Sequence, residues 1–476
     1  MLGRTRRVHF VGIGGSGMSG IAELLANLGY SVSGSDQHPS PVTERLASLG
    51  VRVYHGHAPE HVAGAEVVVT SSAVRPTNPE VVEAVRRRVP VIPRAEMLAE
   101  LMRLRYAIAV AGAHGKTTTT SMIALMLERA GLDPTAVIGG RLRAFGSNAR
   151  LGSGEWMVAE ADESDRSFLK LFPTLAVITN IDHEHLENYG TFEALQQAFV
   201  EFANKVPFYG AVVACADDPG MANVLPRITR RVMTYGLDAP ADVTAEDVRL
   251  GPMTVSAVVR RRAPTTGGAA ASEVLGPLTL GVPGRHNLLN ALAAVAVGAE
   301  LGLTFEQIAS GLAEFRGAER RFDIRGEPHG ILIVDDYGHH PTEIAAVLAA
   351  ARTLNRRIVV AFQPHRYTRT HRLIAAFGPA FLGADHVLLT DIYAAGEAPI
   401  PGVTLDALAE EIKRSVTVPV EIVRNLRDVP QALARIARPG DLVLTLGAGS
   451  IGSVPDLLMA LLSDGQGARS PRGAHA

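Results

Sequence analysis

Twice in this chain a short apolar run ends in a glycine-rich turn and opens at once into a helical pattern. The first is Val8-His9-Phe10-Val11, followed by Gly12-Ile13-Gly14-Gly15-Ser16-Gly17. The second is Tyr106–Ala111, followed by Gly112-Ala113-His114-Gly115-Lys116-Thr117-Thr118-Thr119-Thr120. A strand that is apolar on both faces needs cover on both, and a helix that returns the chain to a parallel neighbour supplies it. The expected fold class is therefore α/β, with parallel, doubly wound sheets. The first strand spans Arg7–Val11, with a helix over Ser19–Leu28 closed by Gly29, a strand over Ser31–Gly34 leading to Asp36, and another over Glu66–Thr70. After the second turn a helix is expected through Leu127, then strands Trp156–Ala159 and Leu175–Thr179. A β-rich stretch from about Arg231 to Val282 contains the Pro/Thr/Gly/Ala tract Ala263–Ser272, read as a flexible hairpin loop.

A third restart begins near Phe322, with strands Ile331–Val334, Arg357–Ala361, Val387–Leu389 and Leu442–Thr445, and a helix over Pro341–Arg352. From about Asp464 the periodicity stops and a loose tail is expected. Three α/β units follow from these restarts, over residues 1–106, 107–322 and 323–476.

Composition narrows the function classes. A net charge of −2 over 476 residues excludes the basic surplus that nucleic-acid binding needs. Cys215 is the only cysteine, so neither an internal disulfide nor a cysteine zinc site is available. The N-terminus lacks a signal-peptide pattern and no apolar run approaches a membrane span, so a cytoplasmic location without membrane contact is expected.

Each turn is a phosphate cradle. Glycines at Gly12–Gly17 let the backbone approach a pyrophosphate at a helix N-terminus, and Asp36 stands where a ribose-binding acid belongs. Alone, this turn reads as a dinucleotide site with NAD as its default ligand. In the second turn the backbone cradles phosphate, Lys116 brings a mobile charge, and Thr117 offers a hydroxyl to Mg²⁺. Val110 stands where the longer form of this motif has its first glycine. Hydride transfer has no use for the second cradle, and a simple ATPase has none for the first. Together they imply a nucleotide-bearing substrate that is acted on with ATP.

With these turns in place, the chain resembles the Mur ligase family from about Val8 to Leu461. The resemblance rests on ordered stretches: Gly12–Gly20, Gly112–Thr120, Glu160–Phe168, Thr179–Tyr189, Gly284–Ala291, Asp335–Glu343 and Pro364–Thr370. It implies a Rossmann-like N-terminal domain that binds a UDP-substrate, a central P-loop ATPase domain, and a C-terminal Rossmann-like α/β domain that closes over both. The implied activity joins L-alanine to the lactyl carboxylate of UDP-N-acetylmuramate through an acyl phosphate, with ATP and Mg²⁺ (Mn²⁺ as the alternative metal), in a monomer or homodimer. A murein-recycling ligase that attaches a preformed tripeptide is the nearest rival. An NAD-dependent dehydrogenase and a catalytically silent nucleotide-binding regulator are the readings from other classes.

The same resemblance distributes roles. Lys116, Glu160 and His185 are the catalytic residues, and Thr117, Glu160 and His185 hold metal. ATP falls to Gly112, Ala113, His114, Gly115, Lys116, Thr117, Thr118, Asn287, Asn290, Arg321 and Asp336. The UDP-substrate falls to Gly12, Gly14, Gly15, Ser16, Gly17, Met18, Asp36 and Ser72, with Tyr337 and His339 beside its muramyl end. Arg366 and Arg369, three apart and expected on one helical face, are read as holding the incoming amino acid's carboxylate or the substrate's. Asp162, Glu163, His183 and Glu184 are read as solvated loop residues. Ala113 departs from the threonine usual in the family's P-loop, and no stretch matches the modified lysine of several sister ligases.

Overall fold

The computed structural model describes residues 3–71, 73–142, 145, 147–262 and 272–464. Ser72, nearly all of the 263–272 tract and the tail beyond Asp464 lie outside the described residues. Among the described residues the strands form three sheets. The first is all parallel, in the order Arg52–His55, Ser31–Asp36, Arg7–Val11, Val67–Thr70, Val91–Pro93.

The second sheet has ten strands, and Tyr106–Ala111 sits inside it between Leu175–Ile178 and Trp156–Glu160, parallel to both. Its far edge is the β-rich stretch, with strands Val232–Tyr235, Val243–Gly251, Thr254–Arg262 and Ser272–Leu280. The third sheet has six strands, with Asp323–Gly326 antiparallel at one edge. Its centre holds Leu332–Asp336, Leu442–Leu446 and Ile358–Phe362, each buried along its whole length. Double-sided burial is why these strands are mainly apolar, with Asp335, Asp336 and Thr445 as buried polar exceptions near their carboxyl ends.

The chain divides into two compact units. One comprises Met1–Arg249, Ser256–Leu280 and Asn287–Ala318, and so carries the first sheet and most of the second. The helix Ser16–Asn27 packs on the hairpin Thr135–Leu142 and Ser147–Arg150. Gly20 faces Ala149, where a Cβ would stand 3.4 Å from the alanine methyl. Beside it, Asn148 Nδ2 donates to Ser19 Oγ at 3.1 Å, and Ser147 Oγ donates to Glu23 at 3.1 Å. Arg45 grips the buried Glu23 carboxylate with two donors, at 3.2 and 2.7 Å.

The second unit comprises Leu250–Val255, Gly281–His286 and Glu319–Ala476. Its two short segments are packed in: Met253 lies against the core of Val334, Leu348 and Leu444, and Gly284 faces the Ala350 methyl.

Boundaries differ from the sequence reading where glycine hides them. The first helix begins at Ser16 rather than Ser19, because Gly17 and Gly20 lie inside it and glycine scores poorly as a helix former. The Pro341–Arg352 helix has the expected span. Among the described residues, no helix is long and apolar enough to cross a membrane.

Candidate active site

In the first sheet, chain order reverses between Arg7–Val11 and Val67–Thr70, and the crevice beyond the carboxyl ends of such strands is where open α/β sheets take ligands. The glycine turn lies there. Gly12, at φ +77°, and Ile13 both donate their N–H to Ser35 O, at 2.8 and 2.9 Å. Gly14 N–H donates to Asp36 Oδ2 at 2.8 Å, and a Cβ on Gly14 would stand 2.9 Å from that oxygen. Asp36 therefore serves as an acceptor within the turn itself. A cleft of about 200 Å³ opens alongside, lined by Gly15, Gly17, Met18, Thr70, Ser71 and Arg94 among others. The Ser16 side chain and all of Ser72 fall outside the described residues.

Arg94 was not singled out by the sequence reading. Its guanidinium covers Gly17 so closely that any Cβ there would overlap it, and its Nη2 donates to Asp162 at 3.1 Å. One signal was available. Arg94 opens a helix, Arg94–Met102, and a cation at a helix N-terminus opposes the dipole unless an anion is nearby.

The second turn follows Tyr106–Ala111. Gly112, at φ +134°, passes so close to Thr179 that a Cβ would overlap its hydroxyl. Gly115, at φ +79°, caps the helix Lys116–Arg129, and a Cβ there would stand 2.6 Å from Asn290 Oδ1. Asn290 thus braces the loop from below and also accepts from Thr119 Oγ1 at 3.2 Å. Asn287 lies one turn earlier on the same helix, buried.

Asn180 clamps the loop, accepting from Ala113 N at 3.2 Å through its backbone and from His114 N at 2.8 Å through its side chain. The whole loop was expected to face phosphate, yet these two N–H groups are already used. The donors left to an anion include those of the first helical turn, Lys116, Thr117 and Thr118, which have no intrahelical acceptor. His114 Nε2 pairs with Asp182 at 2.9 Å.

Lys116 folds back over the loop. Its Nζ donates to Gly112 O, to Ala113 O at 3.3 Å and to Glu163 Oε1 at 2.8 Å. Burial acts to lower the ammonium pKa, but the carboxylates of Glu163 and Asp162 outweigh it and hold it above its ordinary value. Burial pushes the Glu163 carboxyl up, against the pull of Lys116.

The solvated-loop reading is therefore wrong for Glu163 and Glu184, which are 2% and 7% exposed. Their burial depends on partners in distant segments. Asp162 is half-buried against Arg94, and only His183 is mostly exposed, stacked on Phe192 at 3.9 Å between ring centres.

Thr117, Glu160 and His185 follow or end three neighbouring strands at their carboxyl ends. Glu160 Oε1 accepts from Gly139 N at 2.6 Å. His185 holds φ +56°, with Glu184 3.6 Å from one ring nitrogen and Glu187 3.7 Å from the other. A left-handed non-glycine residue is strained, and this one sits at a site.

The second unit has its own cluster. The guanidinium groups of Arg320 and Arg321 each lie 5.2 Å from the Tyr337 ring centre. Asp336 is buried, accepting from Phe322 N and Gly338 N at 2.7 Å each, and burial pushes it up to about 6. His339 Nδ1 is 3.3 Å from Glu343, whose other oxygen is 3.5 Å from Arg321. His286 faces this pair, and burial with Arg321 pushes it down to about 4. Arg366 and Arg369 do not share a helical face. Arg366, at φ +71°, precedes the helix Tyr367–Ala380, because its N–H is tied to Tyr393 O at 2.8 Å and turns the chain there. Arg366 lies 3.6 Å from Glu397, and Arg369 is 3.0 Å from His365 Nδ1.

Three family profiles match the chain in order. They are the Mur ligase family, catalytic domain, over residues 7–106; the Mur ligase middle domain over 110–298; and the Mur ligase, glutamate ligase domain over 320–449. The chain belongs to the Mur ligase family. The UDP-N-acetylmuramate–L-alanine ligase of Geobacter sp. strain M21 is 55% identical to this Mur ligase over 464 residues, 97% of this chain and 99% of the relative. That of Anaeromyxobacter sp. strain Fw109-5 is 54% identical over 460 residues, 96% and 98% of the two chains. The crystal structure of UDP-N-acetylmuramate-alanine ligase MurC from Thermotoga maritima matches with a TM-score of 0.81 and 30% identity, over 96% of this chain and 99% of that one. A murein peptide ligase from Psychrobacter arcticus shares the fold, with a TM-score of 0.71 at 24% identity over 96% and 99%.

In this Mur ligase the residues around Lys116 suit a polyphosphate with a divalent cation. A helix N-terminus, a lysine, a hydroxyl and several carboxylates meet there, and Glu163 Oε2 is buried without a hydrogen-bond partner.

Proposed function

We infer that this Mur ligase joins L-alanine to the lactyl carboxylate of UDP-N-acetylmuramate in peptidoglycan precursor synthesis, consuming ATP and releasing ADP and phosphate. One observation carries the reading: relatives bearing that name are 53–55% identical to the chain across nearly its whole length. The site geometry supports it, since a cleft of about 200 Å³ beside the first glycine turn and the Gly112–Lys116 loop occur in one compact unit.

A carboxylate is a poor acyl donor. Transfer of the γ-phosphoryl of ATP to one carboxylate oxygen turns that oxygen into a leaving group. The alanine nitrogen then attacks the carbonyl carbon, the C–O bond to phosphate breaks, phosphate departs with the electron pair, and the nitrogen gives up a proton. Mg²⁺, when bound, neutralises charge on the phosphates; Thr117, Glu160 and His185 are the residues assigned to hold it. Lys116 and the first-turn N–H groups place the polyphosphate, so catalysis rests on position and charge.

We assign the cleft beside Gly12–Met18 to the UDP-sugar, with Arg94 as the cation for its diphosphate. Asn287, Asn290, Arg321 and Asp336 are assigned to ATP, Tyr337 and His339 to the muramyl end, and Arg366 and Arg369 to a carboxylate. Boundaries at 106 and 322, a cytoplasmic location and a monomer or homodimer complete the reading.

Phosphate release from ATP, measured with UDP-N-acetylmuramate and Mg²⁺ against L-alanine, glycine, L-serine, L-Ala-γ-D-Glu-diaminopimelate or no amine, tests it. Release is expected to require the UDP-sugar and to be fastest with L-alanine. Release with the tripeptide but not with L-alanine would instead assign the chain to murein recycling, and release independent of the UDP-sugar would overturn both.

A further inference from the structure

An ammonium group has three N–H donors, and all three on Lys116 are engaged: by Gly112 O, Ala113 O and Glu163 Oε1. In this arrangement the lysine that should meet phosphate has nothing left to offer it. The partner that holds it is placed firmly. Glu163 is 2% exposed, and the hydroxyl of Tyr189 donates to the Glu163 carbonyl, fixing the backbone behind the carboxylate. The second carboxylate oxygen, Oε2, is buried and has no hydrogen-bond partner. A buried, unsatisfied carboxylate oxygen is costly and calls for a donor or a cation.

We propose that Glu163 is a latch on Lys116: in the nucleotide-free enzyme it holds the ammonium on the loop's own carbonyls, and a divalent cation arriving with the nucleotide takes over the carboxylate and releases Lys116 to the phosphates. This rests on the reading of the loop as an ATP site and assigns Glu163 a positioning role within it. Metal-free nucleotide meets a cradle whose lysine charge is already neutralised, so it binds weakly. Metal-bound nucleotide brings the competitor that opens the latch. Removing the carboxylate charge leaves Lys116 permanently available.

The test is calorimetric titration of ADP into the full-length protein, in EDTA and in excess Mg²⁺, for the wild type, Glu163→Gln and Glu163→Asp. The wild type is expected to bind Mg·ADP at least about tenfold more tightly than ADP in EDTA. Glu163→Gln is expected to bind metal-free ADP about tenfold more tightly than the wild type does, with most of the Mg²⁺ increment gone. Glu163→Asp, which keeps the charge but shortens its reach, covers the case in which the glutamine variant does not fold, and is expected to gain about threefold in EDTA. Metal-free affinity within about twofold of the wild type in every variant that folds would overturn the latch while leaving the ATP site intact. A wild type that binds no ADP even with Mg²⁺ would overturn the ATP-site reading itself.

Discussion

Gly17 and Arg94 act as one feature. The glycine has no side chain because the guanidinium occupies its place, and the guanidinium is thereby held at the edge of the cleft. Arg94→Ala removes the cation, and Gly17→Ala pushes it aside. Either substitution is expected to raise KM for the UDP-sugar by roughly 10- to 100-fold, the range of a lost charge-assisted hydrogen bond, with kcat changed far less. Steady-state phosphate release against UDP-sugar concentration checks this, and an unchanged KM in both variants would remove Arg94 from the substrate site. Residue placements were legible where a motif ties residue type to spacing, as at Lys116 and Thr117, which open the helix after Gly115. They were illegible where a partner is remote in sequence. Nothing near Glu163 announces that Lys116 will bury it, and nothing near Gly17 announces Arg94.

At the scale of elements, central strands such as Tyr106–Ala111 and Ile358–Phe362 were plain because they are apolar on both faces, whereas helix starts after glycine turns were not. One support of the first turn left no periodic signal at all. Glu80, in the first turn of the helix Pro79–Arg86, is fully buried and accepts from Ser35 Oγ at 2.5 Å and from His61 at 2.7 Å, while the Ser35 carbonyl holds Gly12 and Ile13. Burial alone would raise the Glu80 carboxyl, but His9, whose Nε2 lies 3.6 Å away, and hydrogen bonds from Ser35 and His61 outweigh it and hold it down to about 2. A carboxyl depressed in the folded state stabilises the fold above its unfolded pKa and loses that contribution as pH falls towards the folded value. Glu80→Gln is therefore expected to cost about 3 kcal/mol at pH 7, with the deficit shrinking below about pH 4.5 and vanishing near 2. Urea unfolding of both proteins at pH 7 and near pH 4 measures the difference, and a deficit that did not change with pH would exclude the charge as its origin.

At the scale of the molecule, the three restarts in the sequence correspond to three sheets, but the first two sheets fold into one compact unit. The sequence could not reveal this, because Gly20, Ser147 and Asn148, which join them, carry no pattern of their own. Two units predict two calorimetric transitions. Saturating Mg·ADP, at about a hundred times Kd, is expected to stabilise the unit that holds Lys116 by about 2.7 kcal/mol, enough to move its transition by several degrees. A single transition with and without ligand would contradict that division. The chain also enters the second unit three times, through Leu250–Val255, Gly281–His286 and the C-terminal stretch from Glu319. Neither unit is thus an uninterrupted length of gene. A recombination event that swapped residues 319–476 for those of a distant relative would leave behind two short native inserts, one bringing Met253 and the other Gly284, to be seated in a foreign core. The two units are heritable only as a matched set, and exchange between lineages is expected to favour the gene entire.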